Sequence, residues 1–195
     1  MQRIKRKLLV FAVGIVVILG LIGVAYAGFS DKGKVLGSSF SIGNADIKLL
    51  SNLTQGVETN NLVDEIPGPA FTNIGQNWLK DYLIKLYNNG TYKMSVVSHS
   101  YYETANDPDD LRQYIFAEIF PWDDVNNDGL VTGDEIGASV GKKTIIKWKT
   151  EGFSLGEFDP GEVLGFIVRF STETLSDTKQ GKQALYDFEF DSIEL

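Results

Sequence analysis

The sequence contains no cysteine and a single histidine, His99. The first absence excludes a disulfide framework, a thiolate zinc site and a cysteine nucleophile. The second excludes any centre that needs two imidazoles. Bases are also scarce: 18 Lys and Arg stand against 26 Asp and Glu, a formal net charge of −8. Nucleic acid is therefore not an expected partner, because neutralising phosphates takes clustered Lys and Arg. What the chain does have is apolar and aromatic material, 43% and 12% of its 195 residues. That is enough to bury a sizeable core and too much for a disordered polymer. The length allows one large domain or two small ones.

Long hydrophobic runs are rare too. Leu8 to Val24 is uncharged, with Arg3, Lys5, Arg6 and Lys7 before it and Ala25-Tyr26-Ala27 after it. A basic start, an apolar stretch and a small-x-small site make residues 1–27 an expected signal peptide, with cleavage leaving Gly28 first. The alternative is a retained anchor, since no charge occurs from Leu8 to Ser30 and such a stretch can span a bilayer. Both readings place the body outside the cytoplasm, secreted or on the cell surface, and confine membrane contact to this segment. Losing it removes four bases and no acid, leaving 14 bases against 26 acids and a net charge of −12.

The rest of the chain reads as β-rich, with frequent glycine and short alternating apolar runs. Phe40 and Ile42, then Ala45, Ile47 and Leu49, alternate on either side of Gly43-Asn44. Asn88-Asn89-Gly90 signals a tight turn, and Thr91 to Ser98 suits a strand. Val163 to Phe170 is a buried-strand candidate, and Tyr114 to Trp122 reads as a strand despite Pro121. Ala184, Tyr186, Phe188 and Phe190 share one face of a further strand, opposite Asp187, Glu189 and Asp191. Trp78 to Tyr87 fits helical and strand spacing equally. Asp107-Pro108 predicts a short helix through about Tyr114. Lys142, Lys143, Lys147 and Lys149, interleaved with Ile145, Ile146 and Trp148, predict a strand with a solvated basic face. No linker divides residues 39–195, so the expectation is one all-β sandwich domain with a short helix.

The sharpest chemistry is the segment Asp124-Val125-Asn126-Asn127-Asp128-Gly129-Leu130-Val131-Thr132-Gly133-Asp134-Glu135. It fits the twelve-position calcium loop of EF-hands and dockerins. Asp124, Asn126 and Asp128 would supply side-chain oxygens, Leu130 its carbonyl, Thr132 a direct or water-mediated contact, and Glu135 two oxygens. Gly129 allows the sharp bend, and Val131 pins the loop. Ca2+ suits such a set because it is hard and takes six to eight oxygens in irregular geometry. The plainer reading is an acidic hairpin loop, since Asn, Asp and Gly are ordinary turn residues. The flanks are not paired EF-hand helices, so the expected site is structural and not a sensor. From Glu103 to Glu135 there are ten acids and one base, Arg112, a local net of −9; bound calcium would offset charge where repulsion is worst.

Enzymatic chemistry finds little support. No His-Glu-x-x-His occurs, and Ser98-His99-Ser100 makes neither a triad nor a nucleophile elbow. His99 reads as an exposed strand-end histidine. Acids are plentiful enough that a glycosidase-like pair stays open. Asn52-Leu53-Thr54 and Asn89-Gly90-Thr91 are glycosylation sequons.

Several of these pieces together resemble the TasA/camelysin family of secreted biofilm-matrix fibre proteins, which includes archaeal bundling pilins. The likeness runs through Phe29-Ser30-Asp31, Ser39 to Leu49, Ile66-Pro67-Gly68-Pro69 and Leu86 to Thr91. It continues through Leu155-Gly156-Glu157-Phe158-Asp159-Pro160-Gly161-Glu162 and Lys179-Gln180-Gly181, ending on Tyr186 to Phe190. The 124–135 loop departs from that pattern as an insertion between two strands.

The resemblance implies a jelly-roll-like β-sandwich and self-assembly into extracellular filaments, with other matrix or surface proteins as further partners. In such fibres the N-terminal segment of one subunit adds as a strand to the next, an exposed sheet edge being a template for another chain. Here that donor would be residues 28–38 and a little beyond, with Gly28, Phe29, Val35, Leu36 and Phe40 as the polymerisation residues. A loose tail is the plainer reading. Camelysins have been classed as metalloproteases, but the absence of a zinc motif here argues against enzymatic activity. A monomeric, calcium-stabilised surface module is the remaining alternative.

Overall fold

The computed structural model describes residues 44–72, 74–101, 107–179 and 181–195. Phe40 and Ile42 lie outside them. Among the described residues are nine strands: β1 (Ile47–Leu50), β2 (Leu62–Val63), β3 (Leu79–Asn88), β4 (Met94–Tyr101), β5 (Ile115–Trp122), β6 (Gly141–Thr144), β7 (Phe153–Phe158), β8 (Val163–Thr172) and β9 (Asp187–Glu194). All their pairings are antiparallel. They form a six-stranded sheet in the order β2-β1-β3-β8-β5-β6 and a three-stranded sheet in the order β7-β4-β9. The expected all-β sandwich is therefore the fold. No helix among the described residues is long and apolar enough to cross a membrane.

Period-two alternation decides which side chains meet between the sheets. The larger sheet contributes Ile84 and Leu86, Ile115, Ala117 and Ile119, and Phe166, Val168 and Phe170; the smaller contributes Met94, Val96, Phe153, Leu155 and Phe158. Tyr186, Phe188 and Phe190 pack against this core, as their alternation predicts. Each of the larger side chains, fully buried, stabilises the fold by about 1.5–3 kcal/mol relative to exposure. Two inward positions of β4 are polar, Ser98 and Ser100, both fully buried. Their hydroxyls are satisfied: Ser98 Oγ accepts from Trp148 Nε1 at 3.2 Å, and Ser100 Oγ donates to the Ile145 carbonyl at 2.8 Å.

Those partners belong to α1 (Ile145–Glu151), and here the sequence expectation is corrected. The lysine-rich strand ends at Thr144, whose hydroxyl accepts the Lys147 N–H and caps a helix. Ile145 and Trp148, three residues apart, turn inward together, and Gly152 ends the helix at φ 65°. Trp148 stands at the centre of an aromatic cluster, with Phe188, Phe153 and Phe170 centroids 5.1, 5.7 and 6.2 Å away. The helix expected over 107–114 is also corrected. Only Leu111–Gln113 forms a 3₁₀ turn. Asp107 does act as a cap, accepting the Leu111 and Arg112 N–H groups at 2.8 and 3.0 Å. Trp78 to Tyr87, undecided from spacing, lies almost wholly in β3.

Candidate metal centre and open sheet edge

The 124–135 segment leaves the sandwich at the end of β5 and returns toward β6. Its neck is closed by backbone contacts. Asp123 N–H donates to the Glu135 carbonyl at 2.9 Å, Gly137 N–H donates to the Pro121 carbonyl at 2.8 Å, and Trp122 bridges Ile136. Pro121 is tolerated in β5 because its carbonyl, and hence its missing N–H, points toward the side where β6 has already stopped pairing. The first and last loop positions are thereby held together. Between them Asn127 and Gly129 take left-handed backbone, at φ 55° and 69°, which Asn and Gly adopt at least cost.

Local hydrogen bonds gather three of the predicted ligands. Asp128 N–H donates to Asp124 Oδ1 and Asn126 Oδ1, both at 3.1 Å, and Asn126 Nδ2 donates to Asp128 Oδ2 at 2.9 Å. Gly129 N–H reaches Asp124 Oδ2 at 3.0 Å, and Leu130 N–H reaches Asp128 Oδ1 at 2.8 Å. At the far end, Glu135 Oε2 accepts the Thr132 N–H at 2.9 Å, the reach-back of a capping box. Asp124 and Glu135 are each only 8% exposed, whereas Asn126, Asp128, Leu130 and Thr132 face solvent. Among the described residues, no three His, Cys, Asp or Glu side chains stand together as a metal-holding group. An oxygen set for calcium here would draw also on the Asn126 amide, the Leu130 carbonyl and the Thr132 hydroxyl.

One residue of this region was invisible to sequence reasoning. Lys85 on β3 is 4% exposed, and its Nζ donates to Asp124 Oδ2 and to the Leu53 carbonyl, both at 2.8 Å. Burial pushes the Asp124 carboxyl up. The Lys85 hydrogen bond and charge, with the Gly129 and Asp128 N–H groups, outweigh that and hold it below the ordinary carboxylate value. Asp124 is thus kept ionised. The one sign in the sequence is a lysine set within the apolar stretch Tyr82 to Tyr87, and such residues usually face water.

A second feature lies at the edge of the smaller sheet. β9 is the edge of the smaller sheet, and no described strand pairs its free side. Between it and the β1–β3 side of the larger sheet runs a cleft of about 530 Å³. Ile47, Leu49, Ile84, Leu86, Phe188 and Phe190 give it apolar walls; Asp64, Glu65, Asp187 and Glu189 line it beside a single base, Lys48.

Gly28, Phe29, Val35, Leu36 and Phe40, the predicted polymerisation residues, lie outside the described residues. His99 sits inside β4 and not at its end, partly exposed, with Nδ1 3.2 Å from Asp191 Oδ2. The lysines of β6, Lys142 and Lys143, pair with Glu173 and Glu151, at 2.8 and 3.2 Å. Of the sequon residues, Asn52 accepts the Thr54 N–H and hydroxyl, while the Asn89 amide donates to Asp46. Compared with known proteins, the sequence matches no protein-family model and no curated protein.

Proposed function

We propose that the chain is a secreted structural subunit that assembles into extracellular filaments by strand addition and carries one structural calcium ion in the 124–135 loop. The observation that carries this reading is the edge of β9, which no described strand pairs, beside an apolar, acid-lined cleft. A free edge offers main-chain hydrogen bonds to an incoming strand, and pockets for alternate side chains give register. Residues 28–40 have the matching chemistry: Phe29, Val35, Leu36 and Phe40 as apolar plugs, and Lys32 and Lys34 against the cleft carboxylates. The resemblance to TasA-type fibre proteins points the same way. For the metal, support comes from the spacing of the six donors and from the hydrogen bonds that converge Asp124, Asn126 and Asp128.

Electron microscopy of the chain from Gly28 onward, beside a version lacking residues 28–40, tests the assembly. Filaments are expected only from the longer chain. Filaments from both would sink strand donation by this segment. A longer chain that stays monomeric at high concentration would instead support a calcium-stabilised surface module.

A further inference from the structure

The 124–135 loop meets the hairpin that walls the cleft both through the Lys85 side chain and by direct contact. On the outer face of the larger sheet, Gly165 of β8 lies opposite Lys85 on one side and Trp122 on the other. Because position 165 has no side chain, Lys85 reaches across it, bringing Nζ 5.3 Å from the Trp122 ring centroid. There its ammonium meets both Asp124, the first position of the loop, and the carbonyl of Leu53. Leu53 belongs to the 51–61 connection between β1 and β2. Loop and connection also touch directly, since a Cβ built on Gly129 would lie 3.0 Å from Thr54 and 3.3 Å from Leu53.

Among the described residues, few further hydrogen bonds tie the connection to the sandwich. β1 and β2 pair through only two residue pairs, Leu49 with Val63 and Leu50 with Leu62. β1 itself is held to β3 from Ile47 to Leu49, so it is β2, at the edge of the sheet, and the connection before it that are weakly anchored. Asn61, almost fully buried, ties the connection internally through the carbonyls of Asn52, Gln55 and Gly56, but these bonds do not anchor it to the sheet. The hairpin is also a wall of the cleft, through Ile47, Lys48 and Leu49 on β1 and Asp64 to Ile66 just after β2.

We propose that Lys85 is a positioning residue that couples the 124–135 loop to the 51–61 connection and β2, so that calcium bound in the loop fixes the Asp64 to Ile66 part of the cleft wall. The proposal rests on the calcium reading of the loop. A metal that immobilises the Asp124 carboxylate immobilises the ammonium hydrogen-bonded to it, and with it the Leu53 carbonyl. The ordering cost of that part of the wall is then met by calcium and not by an incoming strand, which makes the two binding events cooperative.

Hydrogen exchange of the chain from Gly28 onward, with calcium and with chelator, tests this. The reporters are the hydrogen-bonded amides of Ser51, Asn52, Thr54, Gln55 and Asn61. Calcium is expected to slow their exchange about fivefold or more, the lower end of ordinary site-to-site coupling. In Lys85→Met at saturating calcium the 124–135 amides should still respond, while the 51–61 response falls well below that of wild type; Lys85→Arg should restore it. Calcium that protects 124–135 but leaves 51–61 unchanged in the wild type overturns the coupling alone. An absence of calcium heat in wild-type calorimetry overturns the metal reading and the coupling with it. The wild-type comparison decides even if Lys85→Met does not fold.

Discussion

Glu135→Gln separates two contributions of one side chain. Without metal, Glu135 Oε2 accepts the Thr132 N–H at 2.9 Å. A glutamine oxygen can take the same bond, since Gln and Glu both complete a capping box. In chelator the variant should therefore unfold within about 0.5 kcal/mol of wild type. With calcium the two part. A ligand at one hundred times its dissociation constant stabilises the folded state by about 2.7 kcal/mol. For a domain of this size that raises the melting temperature by about 5–10 °C. Glutamine cannot offer the paired charged oxygens that the twelfth position supplies. If affinity drops about a hundredfold, the increment at the same calcium concentration falls to about 0.4 kcal/mol. Calorimetric melting of both proteins, with calcium and with chelator, reads all four states. A variant stabilised by calcium as much as wild type, or a wild type indifferent to chelator, refutes the reasoning.

Gly165→Ala should lower the urea midpoint by about 1–3 kcal/mol of stability, because its Cβ would fall 2.4 Å from the Trp122 carbonyl oxygen and 3.1 Å from the indole. An unchanged midpoint would show that the two strands have room to separate. Trp148→Ala should cost about 3–5 kcal/mol and much of the near-ultraviolet circular dichroism, since the ring is 1% exposed among three phenylalanines. A loss below about 1 kcal/mol contradicts that packing. A hydrogen bond with Glu189, aided by desolvation and by the charges of Glu189 and Asp191, pushes the Tyr101 phenol up to about 12. Its folded value exceeds the ordinary 10.0, so its contribution is complete below pH 10 and is lost as the pH rises toward 12. The difference between alkaline absorbance titrations of wild type and Tyr101→Phe should show the missing phenol near 12; one near 10 refutes the contact.

The strands were most legible where one face is apolar or both are buried. Tyr186 to Phe190 alternates cleanly because β9 has one face on the core and one in solvent. Val163 to Val168 is a run without a polar side chain because β8 lies between β3 and β5, with Ile167 fully buried on the outer face. Trp78 to Tyr87 was ambiguous for a related reason, as Ile84, Lys85 and Leu86 are all buried in succession. The helix at Ile145 was misread because Lys-Lys-Thr-Ile-Ile-Lys-Trp alternates and is β-branched. Its cap, its Ile145–Trp148 spacing and its Gly152 stop were present but outweighed. In the candidate site, loop spacing alone located Asp124, Asn126 and Asp128, because their contacts are local. Lys85 lies 39 positions from Asp124, and no short-range pattern carries a contact that only the sheet creates.

The strand order also dictates when the domain can form. In any vectorial process, synthesis or export, β1 with β3 and β5 with β6 can pair early, but they remain separate ladders until β8 enters between β3 and β5. β4 can pair β7 before β8 appears, but its other side waits for β9, the last strand. Neither sheet is whole before the segment beyond Val163 is free, and such non-local pairing is slow. Threaded through a pore, a chain so wired would close its two sheets only as β8 and β9, Val163 to Glu194, clear. Its exposed intermediates are then the stage most open to aggregation or proteolysis.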